Sequence, residues 1–187
     1  MRDLASRSGV PAPTLSRVID LLDREALLVR DAKGGVSDVD WSGVIRRWSG
    51  DYGLRRSNNV TGFLEPRGLP ALTERLETVE WPYAVTGSLA AQRFAPFAAA
   101  KVGTVYVTDA IGMAQRLGLR ESETGVNVLL AEPFDTVVFD RTSVRGGLVV
   151  VAPTQLAADL LTGPGREPSE GEELLSWMES NEDAWRS

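Results

Sequence analysis

The chain has 187 residues, 43% of them hydrophobic, and contains neither cysteine nor histidine; a sizeable core is possible, while disulfides, Cys/His metal sites, thiol nucleophiles and hydrolases with a histidine base are excluded. No apolar run approaches the ~20 residues of a membrane span, so a cytoplasmic protein that meets no membrane is expected. The net charge of -6 is uneven: residues 1–56 hold ten Lys and Arg against eight Asp and Glu, and residues 57–187 hold ten against eighteen, so only the first part suits a phosphate backbone.

Residues 2–8 read as a helix with Leu4 and Ala5 inward, stopped by the turn Gly9-Val10-Pro11-Ala12, where Gly9 permits a positive φ. A second helix follows from about residue 13 to about residue 25, opened by Pro13 and carrying Leu15, Val18, Ile19, Leu21 and Leu22 as a broad apolar face. Residues 27–29 and 36–39 read as two strands around the turn Lys33-Gly34-Gly35. Helix, turn, helix and strand pair in this order predict a winged helix-turn-helix that binds double-stranded DNA. DNA contacts are expected from Thr14, Ser16 and Arg17 on the second helix, from Arg7 on the first, and from Arg30 and Lys33 on the wing. Arg17 is the expected reader of a guanine edge, because a planar guanidinium bonds two acceptors at once. The rival reading is a helix pair that packs only on protein.

Winged domains carry a further helix before this pair, and here the chain opens on the pair itself. The side of Leu4, Val18 and Leu22 is therefore expected to form an apolar patch, covered by a homodimer partner or by the segment that follows. That segment, residues 40–52, predicts a helix with Trp41, Val44, Ile45 and Trp48 on one face.

Residues 53–60, GLRRSNNV, interrupt the apolar periodicity and read as a linker, with domains expected over 1–56 and 57–187. In the second domain, strands at 60–64, 83–85, 104–107, 126–130, 136–139 and 148–151 interleave with helices near 69–78, 89–94, 110–117, 154–161 and 169–177 or beyond. The expected fold class is α+β: a winged helix-turn-helix lacking its first helix, then an α/β domain with a mixed sheet.

Thr86-Gly87-Ser88 lies between a strand and a helix start, where free N–H groups favour an anion. The turn is similar to the Gly-Ser turn of polymerase-β-type nucleotidyltransferases, so a nucleotide-binding protein or degenerate nucleotidyltransferase is the alternative function. That chemistry needs paired carboxylates on the next strand to hold Mg²⁺. Here Asp109 stands alone at a strand end and reads as a helix cap, and Asp135 and Asp140 flank a later segment. No catalytic residue, metal or cofactor is expected, and the chain is not read as an enzyme.

Two stretches, YAVTGSLAAQR over residues 83–93 and VAPTQLAADLLTGPGREPSEGEELL over residues 151–175, resemble the C-terminal domain of AbiEi-type antitoxins, the transcriptional regulators of type IV toxin-antitoxin systems. The family pairs this domain with an N-terminal winged helix. The resemblance implies a repressor of its own promoter acting on inverted repeats, encoded beside a nucleotidyltransferase-type toxin, with the C-terminal domain tied to neutralising that toxin.

Overall fold

A computed structural model describes residues 2–94 and 99–186, apart from the side chains of Arg2 and Arg7. The chain forms two compact units, Met1–Arg47 and Trp48–Ser187. The division thus falls within the helix expected over residues 40–52 rather than near Arg56.

In the first unit, helix α1 spans Arg2–Ser8 and helix α2 spans Ala12–Arg24, with Gly9 between them at φ 67°. At the end of α2, Ala26 takes φ 57° and the Leu27 N–H donates to the Leu22 carbonyl at 2.8 Å. This left-handed step, usually given to glycine, turns the chain out of the helix. Strands β1 (Leu28–Arg30) and β2 (Val36–Val39) then pair antiparallel. Their turn is organised by Asp31, whose Oδ1 accepts from the backbone N–H groups of Lys33 and Gly35 at 2.8 and 2.9 Å. An aspartate bonding its own turn in this way lets a tight hairpin form without help from the core. Helix α3 (Trp41–Asp51) starts at Asp40, which accepts from the Gly43 N–H at 2.8 Å and supplies the side-chain oxygen that a helix start needs.

The second unit continues with α4 (Leu54–Ser57), β3 (Asn59–Leu64), α5 (Leu69–Leu76), β4 (Tyr83–Thr86), α6 (Gly87–Ala91), β5 (Gly103–Val107), α7 (Ala110–Leu117), β6 (Arg120–Glu121), β7 (Val128–Glu132), β8 (Ser143–Arg145), β9 (Leu148–Val150), α8 (Pro153–Leu161) and α9 (Glu167–Ser180). Among the described residues its strands form one seven-stranded mixed sheet in the order β6-β3-β7-β5-β4-β9-β8. The pairs β5/β7 and β4/β9 are parallel and the others antiparallel. The molecule is therefore α+β, and the mixed sheet expected after residue 57 is present.

Every residue of β4 and β5 is buried, and so are Val128, Leu129, Leu130 and Ala131 of β7. Strands covered on both faces lose the alternation of a half-exposed sheet and read as continuous apolar runs. Helix α8 behaves likewise, with residues 155–160 all buried, the pattern of a helix enclosed on every side. Helix α9 approaches it closely at Gly171, where a Cβ would stand 3.1 Å from the Leu161 backbone nitrogen.

Two expectations are corrected, and two strands are added. Residues 136–139 are a 3-10 turn rather than a strand: Asp135 accepts from the Val137 N–H at 2.9 Å, and this local bond outweighs the strand propensity of Thr-Val-Val-Phe. Residues 53–60 are not a linker, because Leu54 is buried and the Asn58 amide donates to the Leu54 carbonyl at 2.7 Å, tying α4 down. The short strands β6 and β8 have no counterpart in the periodicity; they exist because β3 and β9 offer them partners.

Glu65, just past β3, is 1% exposed and receives Arg75 Nη1 of α5 at 2.6 Å; Arg75 also donates to the Leu117 carbonyl at the end of α7. One guanidinium thus joins a strand end and two helices. Arg75→Ala would leave the buried Glu65 carboxylate only the more distant and exposed Arg67, whose Nε lies 3.9 Å away, and chemical denaturation should report a loss of about 3 kcal/mol, against a smaller loss for the paired replacement of Glu65 and Arg75 by apolar residues.

Candidate functional site

On α2, Leu15 is buried and Ile19 and Leu22 are half-buried, while Thr14, Arg17 and Asp20 are exposed. Residues three apart stack on one helical face, so Thr14, Arg17 and Asp20 form one solvent-facing stripe. Ser16 is half-buried beside it. Lys33 is exposed at the tip of the β1–β2 hairpin. Arg30, also expected to meet phosphate, is committed elsewhere: its Nε lies 3.1 Å from both Asp23 oxygens and its Nη1 donates to the Gly34 carbonyl at 2.8 Å. The hydrogen bond that Arg30 donates to Asp23 holds its guanidinium above the ordinary range. Arg30 therefore braces the hairpin against α2. The side chain of Arg7 lies outside the described residues. Leu4 and Val18 are 45% and 44% exposed, with Leu22 half-buried, so the expected apolar patch is open within the unit.

The Thr86-Gly87-Ser88 turn is buried, with Thr86 closing β4 and Gly87 opening the five-residue α6 at φ 64°. What faces it is not a set of cations. The Thr86 hydroxyl donates to Asp159 Oδ2 at 2.6 Å, and a Cβ on Gly87 would meet Thr104 Oγ1 at 3.5 Å and Glu167 Oε1 at 3.7 Å. A cavity of about 70 Å³ beside the turn is lined by Arg55, Gly87, Thr104, Asp159, Thr162 and Glu167, among others. Two carboxyl groups, Asp159 and Glu167, front the position expected for an anion, beside Arg55. Asp109 caps α7, accepting from the Gly112 N–H at 2.9 Å.

Asp159 is the centre of a buried network that sequence reasoning did not find. Its Oδ1 lies 2.7 Å from the Tyr52 hydroxyl, 3.0 Å from the Tyr106 hydroxyl and 2.9 Å from Gln155 Nε2, and the two tyrosine oxygens are 2.7 Å apart. Gln155 and Asn58 amides also donate to the Tyr52 oxygen, at 3.1 and 3.3 Å. The three contacts among Tyr52, Tyr106 and Asp159 need three hydrogens, of which the two phenols supply only two. Below about pH 6 a proton on Asp159 supplies the third. Burial accordingly pushes the Asp159 carboxyl up to about 6, against the opposing pull of its hydrogen bonds from Thr86, Tyr52, Gln155 and Tyr106. Burial, with Glu170 nearby, pushes Glu167 up to about 7. The same burial and the Asp159 charge raise both tyrosines, which stay protonated. The one local signal was Gln155 four residues before Asp159 on an otherwise apolar helix; the phenols come from remote segments.

Among the described residues, no group of three or more His, Cys, Asp or Glu is placed to hold a metal ion, and no helix is long and apolar enough to cross a membrane. Comparison of the chain with protein-family models, with curated proteins and with solved structures finds no match.

Because Asp159 is raised in the folded protein, the native state holds its proton where the unfolded chain has lost it. Its contribution to stability is full below about pH 4 and is lost as pH rises through about pH 6. Asp159→Asn cannot titrate. Denaturation of both proteins across about pH 4 to about pH 7 should therefore show the wild type losing roughly 2–3 kcal/mol relative to the variant; a constant difference would contradict a raised Asp159.

Proposed function

We propose that the chain is a DNA-binding transcriptional regulator whose first unit works as a winged helix-turn-helix. The observation that carries this reading is the exposed pair Thr14 and Arg17, three residues apart on one face of α2, with the cationic tip of the hairpin, Lys33, following in the same unit. Such a helix suits the major groove and such a hairpin the flanking backbone. Arg17 takes the base-reading role and Thr14 and Ser16 the neighbouring contacts. Lys33 takes the phosphate role, and Arg30 serves as a brace whose charge is already matched by Asp23. The exposed Leu4 and Val18 suit a homodimer contact, in keeping with an operator of inverted repeats in the chain's own promoter.

The antitoxin part of the proposal rests on the resemblance of residues 83–93 and 151–175 to the AbiEi type. In this reading the second unit meets a nucleotidyltransferase-type toxin, and the protein works in the cytoplasm. The carboxyls of Asp159 and Glu167 beside the Thr86-Gly87-Ser88 turn favour it over the nucleotide-binding alternative.

A mobility shift on the DNA upstream of the coding sequence tests the proposal. Retardation is expected at low salt and should weaken steeply as salt rises. Arg17→Ala should cost about 1–3 kcal/mol of binding and relax sequence preference, whereas Lys33→Ala should weaken all sequences alike and reduce the salt slope by about one. No retardation at low salt would remove the reading.

A further inference from the structure

The second unit carries an excess of acidic residues, yet one of its cavities is cationic. The strand β8 forms the edge of the sheet, β9 lies beside it, and the chain leaves β9 through Ala152 to enter α8. At this corner a cavity of about 290 Å³ is lined by Arg141, Ser143, Arg145, Thr154 and Trp185 with Ala152, Pro153 and Ala184. No Asp or Glu is among its described lining residues.

Each part of the wall has a reason to be there. Ser143 and Arg145 are two apart on β8, and residues two apart lie on one face of a strand. Arg141 precedes them at φ 55°, a left-handed conformation that costs a non-glycine residue roughly 1–2 kcal/mol. Such outliers concentrate where structure serves a ligand. The guanidinium of Arg145 lies 4.4 Å over the Phe94 ring, and its Nε is buried with no hydrogen-bond acceptor among the described residues. A buried donor left without an acceptor is costly, and an anion entering the cavity would meet that need. The indole N–H of Trp185 donates to the Met178 carbonyl at 2.9 Å, which fixes its ring as a wall. The floor is the start of the nine-residue α8, whose N-cap is Ala152 and has no side-chain cap. The Thr154 N–H, in the first turn, has no acceptor within the helix, and the helix dipole places positive potential there.

We propose that this cavity binds the phosphate group of a small phosphomonoester. Two guanidinium groups and a helix start match a dianion better than a singly charged carboxylate. The volume, near the lower end of small-ligand pockets of about 300–1,000 Å³, holds a phosphate with a compact organic body against Trp185. This site is separate from the proposed DNA-reading surface and does not rest on that reading.

Titration calorimetry of the full chain with glycerol 3-phosphate and with adenosine 5′-monophosphate tests it, with glycerol and adenosine as the unphosphorylated counterparts. At least one phosphomonoester is expected to bind about tenfold or more tighter than its counterpart, and Arg141→Gln and Arg145→Gln are each expected to weaken it by about tenfold. Thermal melts accompany both variants. Arg145 also packs on Phe94, so if Arg145→Gln fails to fold, Arg141→Gln at its exposed position carries the test. The proposal is overturned if neither phosphomonoester binds, if binding is unchanged in a folded Arg141→Gln, or if a short duplex without terminal phosphates competes for the same site.

Discussion

A carboxyl group enclosed in an apolar helix has to be answered by hydrogen bonds, and in the second unit Asp159 is answered from four directions. Tyr52 follows α3, Thr86 ends β4, Tyr106 lies on β5 and Gln155 sits one turn earlier on α8. Apolar packing alone would let α8 slide or rotate against the sheet with modest penalty, whereas a buried polar network accepts one arrangement. The placement of α8 over β4 and β5 therefore depends on this carboxyl. So does the environment of the Thr86-Gly87-Ser88 turn, since Thr86 belongs both to the turn and to the network. A geometry that reads in sequence as an anion cradle becomes, in the fold, one side of a buried carboxyl network.

Net charge is a poor guide to where this protein can meet an anion. The first unit has little basic excess, and Arg30 is withdrawn from it by Asp23. What the unit has is placement: Thr14 and Arg17 on one exposed stripe, with Lys33 at a hairpin tip. The second unit is acidic overall, yet Arg141 and Arg145 line a cavity at the start of α8 with no carboxylate among its described walls. Electrostatics at contact distance is decided by neighbours within a few ångströms, because more distant exposed charges are screened. Local geometry thus decides which groups an arginine meets.

Much of the secondary structure was legible in the sequence, for identifiable reasons. The helix Ala110–Leu117 begins at Asp109 and ends at Gly118 with φ 60°, so both its ends are written in residue types. The hairpin of the first unit was equally plain, because Asp31 and Gly34 build its turn from local bonds. Reading failed at one stretch decided by tertiary partners and at one decided by a local cap. The polar stretch at 53–60 has linker composition, but Asn58 spends its amide on Leu54 and Tyr52 and its carbonyl on the Phe134 N–H. The run Thr-Val-Val-Phe at 136–139 has strand composition, but Asp135 folds it into a 3-10 turn.

By itself, the sequence determined the class of fold, the order of most elements and the exclusion of thiol and histidine chemistry, since these follow from residue types, periodicity and short-range turn bonds. It also marked Thr14, Arg17 and Lys33 as polar positions on otherwise apolar or turn segments. Only the tertiary structure decided that Asp159 meets Tyr52 across 107 residues of chain and Tyr106 across 53. The pairing of Arg141 and Arg145 with the start of α8 was likewise settled there. Such encounters are fixed by sheet order and helix packing, and no spacing along the chain encodes them.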